Sequence, residues 1–75
     1  MTFAEMLNAE MEKEGFTQPT AARASRIAQQ RISDYCAGRV QPGMVHFIKL
    51  VRVFPRLLSW LISEAFPSEE ERGPQ

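Results

Sequence analysis

TQPTAARASRIAQQRISDYCAGRVQP, residues 17–42, reads as two short helices joined by a tight turn. Thr17 is a natural N-cap, and Pro19 is tolerated in the first turn because no intrahelical donor is needed there. Ala21, Ala22 and Ala24 keep this helix slender enough for a second one to cross it closely. The second helix is predicted from about Gln29 to Ala37, ending at Gly38. At ~100° per residue, Ala28, Ile32, Tyr35 and Cys36 fall on one side. Gln30, Ser33, Asp34 and Ala37 fall on the other, flanked by Gln29 and Arg31. One side is core; the other is polar and uncrowded.

Outward from this pair the helical pattern continues. Thr2 and Glu5 have the spacing of a capping box, so a helix begins near Phe3 and stops at Gly15. Phe3, Leu7 and Met11, with Met6 beside them, form its apolar stripe, and the opposite face holds the glutamates. Phe16 folds back as the apolar residue ahead of the next helix. After Pro42-Gly43 a fourth helix is predicted to carry Met44, Phe47, Ile48 and Val51 inward and Lys49 and Arg52 outward, with Pro55 ending it. A fifth spans about Arg56 to Phe66. Its apolar residues surround most of the helix, more than one small core needs, so Leu57, Leu58, Trp60, Leu61, Ile62 and Phe66 are the expected contact surface for a second copy of the chain. Five short helices make an all-α bundle over residues 1–66, and the acidic stretch 67–75 lacks apolar residues and is expected to be disordered.

Composition narrows the class. Seventy-five residues allow one small domain, and 44% hydrophobic with 24% charged residues is ordinary for a globular chain. The apolar runs fall well short of the ~20 residues that span a bilayer, and the acidic N-terminus does not resemble a secretory signal, so cytoplasmic residence is expected. One cysteine, Cys36, and one histidine, His46, supply neither an internal disulfide nor a zinc cage. No cofactor and no metal are expected. The net charge is zero, but the sum conceals a pattern. Residues 1–16 carry four glutamates against one lysine, residues 17–56 carry seven basic side chains against Asp34 alone, and residues 57–75 carry four glutamates against Arg72. The basic middle coincides with the paired helices, as a helix-turn-helix on DNA requires.

The segment resembles the lambda-repressor-like helix-turn-helix domains, the Cro/repressor or XRE group. The correspondence runs without a gap from Thr17 to Pro42. It rests on Thr17-Gln18, Ala22, Ile27, Gln29, Ile32-Ser33, Gly38-Arg39 and Pro42, and continues more loosely through the fourth helix to Trp60-Leu61. Two positions depart from the family pattern: Arg26 stands where the turn usually has glycine, and Ser25 fills the apolar slot before it. A left-handed backbone at Arg26 costs about 1 kcal/mol relative to glycine.

The resemblance implies a compact five-helix domain that binds a specific DNA duplex with the helix at about 29–37 in the major groove. Glutamine can donate and accept in one plane, matching adenine, which makes Gln29 and Gln30 the first candidates for base contacts, with Ser33 beside them. Arg31 can fork onto guanine or clamp a phosphate from the flank. Asp34 can accept from cytosine or form an ion pair with an arginine such as Arg31. By resemblance, Gln18 hydrogen-bonds a phosphate and braces Gln29. Arg39, Arg26, Arg23 and Lys49 are candidates for further phosphate contacts. A domain this small reads few base pairs, so a homodimer on a pseudo-palindromic operator is expected. No sensor or ligand domain is expected, which suits a Cro-like phage or plasmid repressor, a restriction-modification controller, an antitoxin or an autorepressor.

Two other classes compete with DNA binding. A protein–protein interaction module that retains the fold would need apolar anchors on the polar side of the third helix. An enzyme would need a nucleophile with its base, and neither His46 nor Cys36 has such neighbours in the sequence; catalysis is not expected.

Overall fold

The computed structural model describes residues 1–66 and contains five helices: α1 (Phe3–Glu14), α2 (Gln18–Ser25), α3 (Gln29–Ala37), α4 (Met44–Val53) and α5 (Arg56–Ala65). The fold is the all-α, five-helix arrangement of a lambda-repressor-like domain. The stretch 67–75 lies outside the described residues.

Local chemistry sets the helix ends. Thr2 and Glu5 close a reciprocal capping box at the start of α1, with the Glu5 carboxylate accepting from the Thr2 amide at 2.8 Å. The backbone bond from Thr2, and then its hydroxyl, hold the Glu5 carboxyl below the usual glutamate range. This contribution is present above the unfolded pKa and disappears as pH falls through the lowered folded value. Gly15 and Gly38 end α1 and α3 in the left-handed conformation. Thr17 caps α2, and Thr20 supplies the return bond to its amide at 2.8 Å. The α2–α3 turn is formed by a non-glycine residue: Arg26 has φ 61° and ψ 37°. Ser25, in the slot expected to be apolar, is buried but satisfied, its hydroxyl donating to the Ala21 carbonyl at 2.7 Å.

The core gathers Phe3, Leu7 and Met11 from α1, Ala21 from α2, Ile27 from the turn, and Ile32 and Tyr35 from α3. Leu50, Phe54 and Leu57 complete it. Phe16 meets Phe54 edge to face, ring centroids 5.0 Å apart, and Phe3 lies against Phe47 and Trp60 at 6.0 and 6.1 Å. α1 is tied to the end of α3 by Asn8, whose amide donates to the Cys36 carbonyl at 2.8 Å. α3 is tied to α4 by the Tyr35 hydroxyl and His46 Nδ1 at 2.5 Å.

Four sequence expectations need correction. Glu10 is buried instead of standing with the outward glutamates; seven residues after Phe3, it is about two turns further on and falls within the apolar stripe. Ala28 is exposed because it is the N-cap of α3 and precedes the helical period. In α4 the inward side is turned by about 60° from the expected direction. Leu50 and Phe54 are buried and Phe47 and Val51 half-buried, while Met44 is 79% and Ile48 54% exposed. The anchor that sets this orientation is Phe54, just past the helix end, held against Phe16. Finally, Leu57 is fully enclosed by this chain, so it belongs to the core and not to an outer contact surface.

The α4 orientation yields a contrast. Leu50→Ala should cost about 2–5 kcal/mol of unfolding free energy, whereas Ile48→Ala should stay within about 0.5 kcal/mol. Urea denaturation of the two variants measures both; equal losses would refute the orientation.

Candidate nucleic-acid interface

The polar surface of α3 is assembled by the turn that precedes it. The left-handed backbone at Arg26 sends Ile27 into the core, and α3 opens two residues later. Ile32 and Tyr35 hold the inner side of α3 by burial, which leaves Gln29, Gln30 and Arg31 exposed and Ser33 half-buried on the outer side. No side chain caps the start of α3. Gln18, in the first turn of α2, comes to the same place: Gln18, Gln29, Gln30 and Ser33 line one shallow recess of about 270 Å³. Four uncharged polar side chains from two helices thus converge on a single patch. Each can donate and accept, the property needed to match base edges.

Beside this recess Asp34 acts as a hub. Its carboxylate accepts from Gln30 Nε2 at 3.3 Å and from an Arg39 guanidinium nitrogen at 3.4 Å, and it lies 3.7 Å from an Arg31 nitrogen. The Asp34 side chain is 16% exposed, while those of Arg31 and Arg39 are 57% and 63% exposed. Of the two roles open to Asp34 in the sequence, the ion pair is the one formed here, and it takes in both arginines. Exposed pairs of this kind contribute about 0–1 kcal/mol. Their consequence is directional: one carboxylate draws two cations and one amide toward the outer end of α3.

The remaining basic candidates lie elsewhere. Arg23 is exposed on α2 and pairs with no carboxylate among the described residues. Arg26 is exposed at the turn, and Lys49, expected to point outward, is half-buried, its ammonium donating to the Arg26 carbonyl at 3.4 Å. On α5 and its C-cap, Leu58, Leu61, Ile62 and Phe66 are exposed and Trp60 is half-buried, with its indole N–H enclosed and lacking an acceptor among the described residues. Two contributors were not singled out in the sequence as part of the site. Asn8 braces the end of α3 from another helix, a relation no local pattern carries. Arg52 joins Arg26 and Lys49 around one cleft; the basic run flagged it only as an outward charge. Cys36 is half-buried, its thiol pushed up in pKa by burial and lying 3.6 Å from the Met11 sulfur.

The chain matches the helix-turn-helix family over residues 7–61, which takes in most of α1 and all of α2 to α4. It belongs to that family, in its lambda-repressor or XRE form, and the domain is accordingly of a DNA-binding, regulatory type. No match was found among curated proteins or among solved structures. Among the described residues no three metal-ligating side chains gather, and no helix is long and apolar enough to cross a membrane.

The hub gives a direct test. Asp34→Asn should release Arg31 and Arg39, strengthen binding to non-specific duplex and steepen its salt dependence by about 0.9 for each additional phosphate contacted. Titration at several salt concentrations reads this; an unchanged slope would mean that the carboxylate does not restrain the arginines.

Proposed function

We propose that the protein is a sequence-specific double-stranded DNA-binding transcriptional regulator, a small Cro-like repressor or autorepressor, that inserts α3 into the major groove. The observation carrying this reading is the recess shared by Gln18, Gln29, Gln30 and Ser33 at the open end of α3. Gln29 and Gln30 are the base readers, each bidentate amide discriminating by roughly 1–3 kcal/mol. Gln18 braces them and reaches a phosphate, with Ser33 at the edge of the same patch. Asp34 sets the direction of Arg31 and Arg39, and Arg23 adds sequence-independent attraction.

The reading extends to a homodimer on a pseudo-palindromic site, with α5 as its surface. It is supported by the exposure of Leu58, Leu61, Ile62 and Phe66 at 44, 40, 51 and 70% on α5 and its C-cap. Such a run of apolar side chains is more than a solitary small domain ordinarily leaves in water. The competing idea of a partner-binding adaptor has less support at α3, whose outer side offers amides and charges where a protein interface needs apolar anchors.

Selection of bound sites from random duplexes should return a gapped inverted repeat for the intact protein. Gln29→Ala and Gln30→Ala should each relax preference at one symmetric position by about 5- to 150-fold, the equivalent of ~1–3 kcal/mol. Retained preference in both variants would refute α3 as the reader.

Ile62→Glu should give a monomer in analytical ultracentrifugation and weaken operator binding while leaving the helical content intact. Wild-type protein that sediments as a monomer at every concentration, free and on the operator, would refute the dimer.

A further inference from the structure

A second basic site lies at the α2–α3 turn, with no residue of α3 in its lining. Ala24, Ser25 and Arg26 at the end of α2 and Lys49, Arg52 and Val53 on α4 enclose an open cleft of about 630 Å³. Its charged lining is entirely cationic. No carboxylate among the described residues pairs with Arg26, Lys49 or Arg52, in contrast to Arg31 and Arg39, which share Asp34. Lys49 is half-buried and oriented by its bond to the Arg26 carbonyl, which spends one of its three donors. Arg26 holds the left-handed backbone that glycine would adopt without strain. A strained cation at a turn where an uncharged residue fits better points to use of its charge.

We infer that this cleft binds a phosphate group, with Arg26, Lys49 and Arg52 as its ligands. Resting on the DNA-binding reading above, the group is a phosphodiester of the duplex just beyond the segment read by α3. Arg26 and Gln29 are three positions apart, at most about 11 Å of chain, and duplex DNA carries a charge every ~1.7 Å of its axis. A backbone phosphate is therefore within reach while α3 lies in the groove. A free phosphorylated ligand has the same chemistry and is the alternative source.

The test uses the full chain with Arg26→Gly, Lys49→Gln and Arg52→Gln. Arg26→Gly relieves the backbone while deleting the charge, so weaker binding by a protein at least as stable cannot be ascribed to misfolding. Each variant should lower the slope of log affinity against log salt by about 0.9 and weaken operator and random duplexes by the same factor. Gln29→Ala should instead change discrimination and leave the slope in place, so the two readings fail separately. Amide NMR identifies the source. Shifts at Ser25, Arg26 and Arg52 on adding duplex support the DNA backbone, and shifts with inorganic pyrophosphate but not with duplex support a free phosphorylated ligand. Unchanged slopes in all three variants, with no shift from either probe, would overturn the assignment.

Discussion

The left-handed backbone at Arg26 is the constraint on which the rest of the structure depends. It ends α2, reverses the chain within three residues, places Ile27 in the core and starts α3 with its glutamines outward. An ordinary right-handed residue there would extend α2 and rotate α3 about its axis, sending Gln29 and Gln30 elsewhere. The conformation costs about 1 kcal/mol, which is small beside the burial of Ile27, Ile32 and Leu50 that accompanies it, each worth roughly 1.5–3 kcal/mol. Packing therefore dictates the turn, and the turn dictates what α3 presents.

Charge is distributed with the same economy. The acidic residues of α1 stand apart from the basic middle of the chain, and the one acid within that middle, Asp34, is shared by Arg31 and Arg39. The surface around α3 is thus divided into an amide-rich recess, a pair of arginines held by Asp34 and, at the turn, a cationic cleft with no carboxylate partner among the described residues. These regions differ in chemistry as well as position. Amides both donate and accept, matching one base-edge pattern against another, whereas guanidinium and ammonium groups only donate and carry a charge that attracts any phosphate.

What could be read from the chain follows the range of the interactions involved. The capping box at Thr2 and Glu5, the cap at Thr17 and the glycine end of α3 are all local, and each lies where the residues predict; the left-handed Arg26 follows from the family resemblance, against its residue type. The orientation of α4 was not legible, because Met44, Val45, Phe47, Ile48, Leu50 and Val51 supply apolar side chains in several directions. Contact between Phe54 and Phe16, far apart in sequence, chooses among them. For Glu10 residue type and spacing disagree: its charge favours the outer face, but its spacing puts it among Phe3, Leu7 and Met11, and spacing decides. In the candidate site, the outward placement of Gln29 and Gln30 follows from the helical period. The bridge from Asn8 to α3, the double pairing of Asp34 and the arrival of Arg52 beside Arg26 need the fold, since each joins residues set by tertiary packing.

α5 is held differently from the other helices. Its one fully enclosed side chain is Leu57; Trp60 packs on Phe3 with its indole N–H lacking an acceptor among the described residues, an arrangement that costs about 1–3 kcal/mol. The terminal amine of Met1 meets Glu64 only at 3.8 Å and in the open. A helix so lightly anchored opens before the rest of the domain does, with a free energy well below that of global unfolding. Any surface that shelters its outer side chains adds its own binding free energy to their ordering. In the homodimer proposed above, the abundance of the protein would thereby act as a dial on its architecture, with dilution loosening the last helix ahead of the other four.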